Sequence, residues 1–364
     1  MTARLSSRRV ASVVGGVIAL ASGAVTAELT QASAPLTPRV SVVEGVMPTG
    51  VVADRGESTV EPAPALPPAE PEPVEDGAPP FLTSADAVSS NLRGGRLITG
   101  ATTHRFILFT FDDGPDVRYT RTLLDALDDA EVRAVFFLTT RRFEGQTPYE
   151  RNLATIAREI SARGHRVGSH SMDHVQLPLV STPDLATQVD GSTSLIEREL
   201  GAMPALIRPP GGSRSPRVDG YLATNGYTQV LWNLGTGDVQ VRSAEAVLDT
   251  FRRVLEVRER DHGERGGIVL LHDIHAWSVE AFPRIVAYLD RRNCDLLASG
   301  EELYDFVDDP AFFFEARRDG DANDAVAHAD VPEHVIATRQ IRARARAEAR
   351  CDDLEALEAR IAGD

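Results

Sequence analysis

Short apolar runs alternate with longer amphipathic segments between about residues 98 and 307. A short apolar run bounded by turn residues is typical of a strand that is buried on both faces of a parallel sheet. Segments with apolar residues at helical spacing follow these runs, so the pattern predicts repeated βα units. The predicted strands are residues 105–111, 133–139, 165–170, 206–207, 228–232 and 267–272, and the predicted helices are residues 117–130, 152–163, 184–200, 244–259 and 279–291.

The segments on either side of this stretch have a different composition. Residues 1–27 combine three early arginines, an apolar run and small residues at a cleavage position, which predicts a secretory signal peptide. An uncleaved anchor is the alternative, and no stable membrane span is expected once the signal is removed. Residues 28–97 are rich in Pro, Ala and Glu and predict an extended, disordered linker.

The C-terminal segment, residues 308–364, is predicted to be an acidic stretch followed by a helix of mixed charge. That helix could pack on the domain formed by residues 98–307, pair with a partner, or stand solvated. Cys294 and Cys351 lack the spacing of a zinc site, and the sequence leaves open whether they pair. The formal net charge of −16 argues against nucleic-acid binding, which requires a basic surface.

Polar clusters follow the predicted strands one after another. Since parallel sheets carry their active groups at the carboxyl ends of the strands, we expect these clusters to share one face. His170 and His174 would share a helix face if a helix began there, which suits metal binding. Each cluster alone could be an ordinary turn, cap or structural histidine. The clusters are Asp112-Asp113-Gly114-Pro115, residues 170–174, residues 208–212, Asp238 and His272-Asp273.

In this order the clusters resemble the five motifs of the polysaccharide deacetylase family, the NodB-homology proteins of carbohydrate esterase family 4. TFDDGP at residues 110–115 and HSMDH at residues 170–174 match the first two motifs. Arg208-Pro209-Pro210 matches the third, residues 232–238 lie where the fourth falls, and LLHD at residues 270–273 matches the fifth. The resemblance covers about residues 98–306, and it implies a distorted (β/α) barrel.

The chain also departs from the family pattern. Gly211 stands where the family often has an aromatic residue, and the fourth motif keeps Asp238 but lacks its first Asp and its Trp. Aromatic side chains commonly stack on sugars, so these losses put the identity of the substrate in doubt. We expect a variant substrate groove.

The resemblance also implies a role for each matched residue. Asp113, His170 and His174 would bind one divalent metal ion, with zinc preferred and cobalt or another ion as alternatives. Asp112 would be the general base oriented by Arg208, and His272 the general acid oriented by Asp238. A backbone N–H at Gly211 would stabilise the oxyanion, and Pro210 and Leu270 would line the substrate site.

The implied function is hydrolysis of N-acetyl groups on an amino-sugar polysaccharide, either peptidoglycan or a chitin-like glycan, by an exported protein. The substrate polymer would be its partner, and the sequence predicts no oligomeric state. An O-acetyl esterase acting on xylan would use the same site. A catalytically silent carbohydrate-binding protein is the third reading, against which the presence of Asp112 and His272 argues.

Overall fold

Nine parallel strands form the centre of the part of the chain that this computed structural model describes, residues 95–313 and 331–362. The strand order is β1-β6-β5-β4-β3-β2-β8-β7, and β9 pairs with the start of β2. The predicted signal peptide, most of the linker and most of the acidic segment lie outside the described residues. The strands are β1 Leu97–Ile98, β2 Phe106–Asp112, β3 Val135–Leu138, β4 Arg166–Ser169, β5 Leu206–Ile207, β6 Thr228–Val230, β7 Leu234–Gly235, β8 Gly267–His272 and β9 Asp305–Phe306.

The connection between β6 and β7 shows that the sheet curls. In the strand order, β6 and β7 are separated by six steps, which would be about 29 Å in a flat sheet. Only three residues separate Val230 from Leu234, and these span about 15 Å at most. The sheet must therefore bend until its two edges approach each other. This confirms the predicted distorted (β/α) barrel.

Eight helices accompany the described strands, and their apolar faces cover the outside of the barrel. Strand β2 is buried along its whole length. Its side chains alternate between two apolar clusters. Phe109 packs against Phe282 of a helix in one cluster, and Phe106 packs against Phe312 in the other. The helices are α1 Thr120–Asp129, α2 Pro148–Ala162, α3 Thr182–Ala186, α4 Ser192–Leu200, α5 Pro216–Thr224, α6 Ala244–His262, α7 Ala276–Ser299 and α8 Glu333–Ala362.

The six predicted strands are present, with ends that differ by at most two residues. The two-residue strands β1, β7 and β9 were not predicted, because such short pieces carry no periodicity and are defined by their neighbours. The predicted helix at residues 184–200 is interrupted by a π-helical turn at Thr187–Gly191. Helix α5 was also missed, although Ser215 caps it at Val218 N and Pro216 starts it.

The C-terminal helix α8 packs on the barrel. Arg339 pairs with Asp305 of β9, and Arg346 pairs with Asp290 of α7. A disulfide joins Cys294 of α7 to Cys351 of α8, across a sequence separation of 57 residues. Of the three readings of this helix, packing on the domain is therefore the one observed. None of the described helices has the length and apolar character needed to cross a membrane.

Candidate active site

Three side chains that could ligate a metal ion, those of Asp113, His170 and His174, converge at the carboxyl ends of β2 and β4. Asp113 Oδ1 lies 3.1 Å from His174 Nε2 and 3.5 Å from His170 Nε2. One ligand atom from each of the three residues lies within 4.8 Å of the other two. Asp113 Oδ1 is buried and receives no hydrogen bond from a described residue. A buried, unsatisfied carboxylate oxygen facing two imidazole nitrogens is the donor set expected around a divalent cation.

The segment that carries the two histidines is a loop, so no helix face brings them together. Ser171 and His174 both have left-handed backbone conformations, with φ of 66° and 55°. Hydrogen bonds from Ser171 N to Ser169 Oγ and from His174 N to Ser171 Oγ hold the turn. The two rings still meet, with centroids 5.0 Å apart. The local turn therefore brings the two imidazoles together without a helix.

Hydrogen bonds and nearby charges leave His170 with a directed lone pair and Asp113 with a negative charge, which both suit a cation. His170 Nδ1 donates to the carbonyl oxygen of Arg208 at 2.8 Å, which leaves the Nε2 lone pair directed at Asp113. Burial alone would raise the pKa of Asp113, but the nearby His174, His170 and His272 outweigh it and lower this pKa to about 2. Asp113 is therefore ionised at neutral pH.

Asp112, the neighbour of Asp113, is held by a buried arginine. Its Oδ1 accepts a hydrogen bond from Arg208 Nη1 at 2.8 Å, and its Oδ2 lies 3.6 Å from His170 Nε2. Arg208 is fully buried, and it also donates to Thr110 Oγ1 and to the carbonyl oxygen of Val230. A fixed, bonded guanidinium of this kind holds the carboxylate in one orientation.

His272 lies on the other side of the group, at the end of β8. Its Nδ1 is 3.0 Å from Asp238 Oδ1, and its Nε2 is 4.0 Å from Asp113 Oδ2. Burial alone would lower the pKa of His272. Its bond to Asp238 and the more distant carboxylates of Asp112 and Asp113 outweigh burial and raise this pKa to about 9. The imidazole is therefore protonated at neutral pH, and its second nitrogen points toward the metal-binding group.

The chain is similar in sequence to proteins of a known family. Residues 99–230 match the family model for polysaccharide deacetylase. A peptidoglycan-N-acetylglucosamine deacetylase of Bacillus cereus is 30% identical over 202 residues, which cover 55% of this chain and 88% of that protein. The chain belongs to the polysaccharide deacetylase family.

Other members of the family share less of their length with this chain. The peptidoglycan-N-acetylglucosamine deacetylase PgdA of Listeria monocytogenes is 31% identical over 204 residues, 56% of this chain and 40% of that protein. The chain therefore spans less than half of that relative. The chitin deacetylase structure from Colletotrichum lindemuthianum is 28% identical, with a TM-score of 0.48, over 54% of this chain and 87% of its own.

The remaining residues assigned from the family motifs are close in the chain to Arg208 and His272. Pro210 and Gly211 form a tight turn that begins two residues after Arg208, and Gly211 has a φ of 62° in it. The indole ring of Trp232 packs against this turn, since a Cβ added to Gly212 would lie 3.2 Å from it. The family often has an aromatic residue in the same turn. Leu270 is the one half-buried residue of the otherwise buried β8, which fits a side chain that lines a groove.

The structure adds two residues that the motif comparison did not supply for this member of the family. Ser278 Oγ donates to Asp238 Oδ2 at 2.6 Å, and Trp277 Nε1 donates to the backbone oxygen of Asp238 at 2.6 Å. Both lie in the first turn of α7, which the sequence pattern placed three residues too late. With the correct start of α7, the sequence would have placed Trp277 and Ser278 in the first turn of the helix that follows His272.

Ser278→Ala is expected to lower kcat about tenfold while KM changes little. The buried hydroxyl orients the carboxylate that orients His272, and it does not reach the substrate side of the ring. Steady-state kinetics of acetate release would measure both constants. Ser299→Ala, at the far end of the same helix, is the matched control, since its hydroxyl donates to Leu296 O and Glu301 Oε1 and not to Asp238. An unchanged kcat, or equal losses in both variants, would remove Ser278 from the positioning of Asp238.

Proposed function

We propose that this chain is an exported, metal-dependent hydrolase that removes N-acetyl groups from an amino-sugar polysaccharide and releases acetate. One observation carries the proposal. A group that could hold a metal ion, Asp113 with His170 and His174, is flanked by an Arg208-bound carboxylate on one side and a protonated imidazole on the other. Amide hydrolysis requires a base and an acid on either side of the reacting carbonyl.

Asp113, His170 and His174 would hold the cation. Two imidazoles and one carboxylate are a donor set of catalytic zinc sites, which leaves a position for water or substrate, and zinc is the ion that this set suits, with cobalt as the alternative. Such an ion lowers the pKa of bound water and polarises a carbonyl. The deprotonated Nε2 of His170 and the ionised Asp113 provide the lone pairs that this binding needs.

The chain's own residues account for the proton transfers. Arg208 holds Asp112 Oδ1, and Asp112 Oδ2 takes a proton from the attacking water. The water oxygen bonds to the acetyl carbon, and the backbone N–H of Gly211 would stabilise the resulting oxyanion. His272 gives its Nε2 proton to the amide nitrogen as the carbon–nitrogen bond breaks. Asp238 stabilises the imidazolium before this transfer. The products are acetate and a free amine on the sugar.

The substrate and location follow from the relatives and from the N-terminus. Relatives in the family are named as peptidoglycan and chitin deacetylases, so an N-acetylated glucosamine polymer is the substrate that we propose. Export is inferred from the predicted signal peptide at residues 1–27, which is outside the described residues. The domain boundary at residues 98–307 remains a prediction.

Acetate release across a panel of acetylated glycans tests this function. We expect the purified protein with added zinc or cobalt to release acetate from peptidoglycan or from N-acetylglucosamine oligomers, and to lose this activity with a chelator. Acetylated xylan serves as the comparison substrate. Release from xylan alone would favour the esterase reading. Metal-loaded protein that releases acetate from none of these polymers but binds one of them would be a carbohydrate-binding protein.

A further inference from the structure

The histidine loop, residues 170–174, holds its two imidazoles in different ways. His170 is buried, and its second ring nitrogen is bonded to the backbone oxygen of Arg208. The side chain of His174 is 47% exposed, and apart from the contact of its Nε2 with Asp113 its ring has no hydrogen bond to a described residue. A bond to the other ring nitrogen usually orients an imidazole that ligates a metal ion. The orientation of His174 therefore depends on the backbone that carries it.

Gln188 holds the backbone of the histidine loop immediately before His174. Its side chain is buried, and its Oε1 accepts a hydrogen bond from Asp173 N at 3.0 Å while its Nε2 donates to Asp173 Oδ2 at 2.7 Å. The backbone oxygen of Gln188 accepts a further bond from Met172 N at 3.0 Å. Three bonds to one residue therefore fix the two positions that lead to His174.

The π-helical turn between α3 and α4 makes this arrangement possible. In an α-helix, Ser192 N–H would bond to the oxygen of Gln188, four residues earlier. Here it bonds to Val189 O, and Gln188 O accepts its bond from the histidine loop. Gly191 allows the turn to approach the loop closely, because a Cβ at this residue would lie 2.7 Å from Met172 Cε. Such turns within α-helices frequently occur at functional sites.

Arg141 also bonds to Asp173, but from the solvent side. Its guanidinium donates to both carboxylate oxygens of Asp173, at 2.7 and 2.8 Å, and its side chain is 48% exposed. Exposed ion pairs contribute little, because water and salt screen them and both side chains lose freedom. The buried bonds of Gln188 are therefore the stronger constraint on the loop.

We propose that Gln188 is a positioning residue that orients His174 and thereby sets the affinity of the candidate site for its metal ion. An exposed imidazole that is oriented in advance spares metal binding the cost of ordering it. The inference rests on the proposed function, whose metal-binding group includes His174. It adds a residue on another element that touches neither the metal nor the substrate.

Zinc affinity, measured by competition with a chromogenic chelator, tests this role. Gln188→Met keeps a similar side-chain volume and removes both side-chain bonds to Asp173, so zinc should bind about 10- to 100-fold more weakly than to the wild type. Gln340→Met is the matched control, because the Gln340 amide likewise accepts one bond and donates one, both to the backbone of Leu303. Leu303 precedes β9, which pairs with the start of β2 and not with its carboxyl end. The zinc affinity of this control should equal that of the wild type.

Thermal unfolding of both variants shows whether they are folded. Weaker zinc binding by folded Gln188→Met than by folded Gln340→Met would support the role of Gln188. Wild-type affinity in Gln188→Met, or equal losses in the two variants, would overturn it. Gln188→Asn, whose amide is one methylene too short to reach Asp173, provides the same comparison if Gln188→Met does not fold.

The same titration separates this inference from the proposed function. A wild type that binds zinc but releases no acetate would end the proposed function, and the comparison of Gln188→Met with Gln340→Met would still decide the inference. An active wild type beside a Gln188→Met variant of unchanged zinc affinity would overturn the inference alone. A wild type that binds neither zinc nor cobalt would overturn both.

Discussion

Asp112→Asn is expected to lower acetate release from an N-acetylglucosamine oligomer by about 10³-fold while metal binding is retained. An amide has the shape of the carboxylate but cannot take a proton from water, and loss of a general base costs about 10² to 10⁴ in rate. Asp113, His170 and His174 are unchanged, so the metal content of the purified variant should equal that of the wild type. Acetate assays and metal analysis on the same preparation would measure both quantities.

The control for this prediction must show that the Asp112→Asn variant is folded. Arg208 is fully buried, and its cation would lose its carboxylate partner in the variant, which could destabilise the protein. Thermal unfolding should therefore be recorded beside the assay. Asp116→Asn makes the same change four residues later, at a carboxylate that bonds to Arg118. A folded, metal-loaded Asp112→Asn protein with activity within tenfold of the wild type would rule out Asp112 as the base.

His170→Ala is expected to remove metal and activity together. His170 is buried, and its Nε2 lies 3.5 Å from Asp113 Oδ1, so its loss leaves two of the three proposed ligands. Loss of an outer-sphere partner alone costs about 10- to 100-fold in metal affinity, and loss of a direct ligand should cost more than that. Metal analysis after dialysis should show one ion per wild-type chain and almost none in the variant.

A second histidine variant provides the comparison. His262→Ala removes an exposed imidazole at the end of α6, just before the start of β8, whereas the site lies at the carboxyl ends of the strands. It should bind metal and release acetate like the wild type. Stoichiometric metal in purified His170→Ala would contradict the assignment of this residue as a ligand, whatever the activity of that variant.

The repeated βα units of the barrel could be predicted because their signals are local, whereas the barrel itself was implied by the family resemblance. Strand β2 is apolar from Phe106 to Phe111 and is followed by a turn, and this pattern is visible without any knowledge of its neighbours. The rule that parallel strands present their carboxyl ends on one face predicted only that the polar clusters share that face. The assignment of Asp113 and His170 to one metal site was implied by the family resemblance.

Features that depend on distant contacts or on unusual backbone angles could not be predicted. The spacing of His170 and His174 fits a helix as well as a loop, and left-handed conformations at Ser171 and His174 have no signal in the sequence, since neither residue is glycine. The bond between Ser278 and Asp238 joins residues 40 positions apart. The pairing of Cys294 with Cys351 likewise requires knowledge of how α7 and α8 pack.

The covalent tie between α7 and α8 bears on how the protein should be produced. Such bonds persist in oxidising compartments, whereas reducing cytosols keep thiols free. Material made in a reducing host would hold α8 by side-chain contacts alone, such as those of Arg339 and Arg346, and would carry two reactive sulfurs. Secretion of the recombinant chain, or oxidative refolding, therefore gives the form in which the disulfide joins α8 to the barrel.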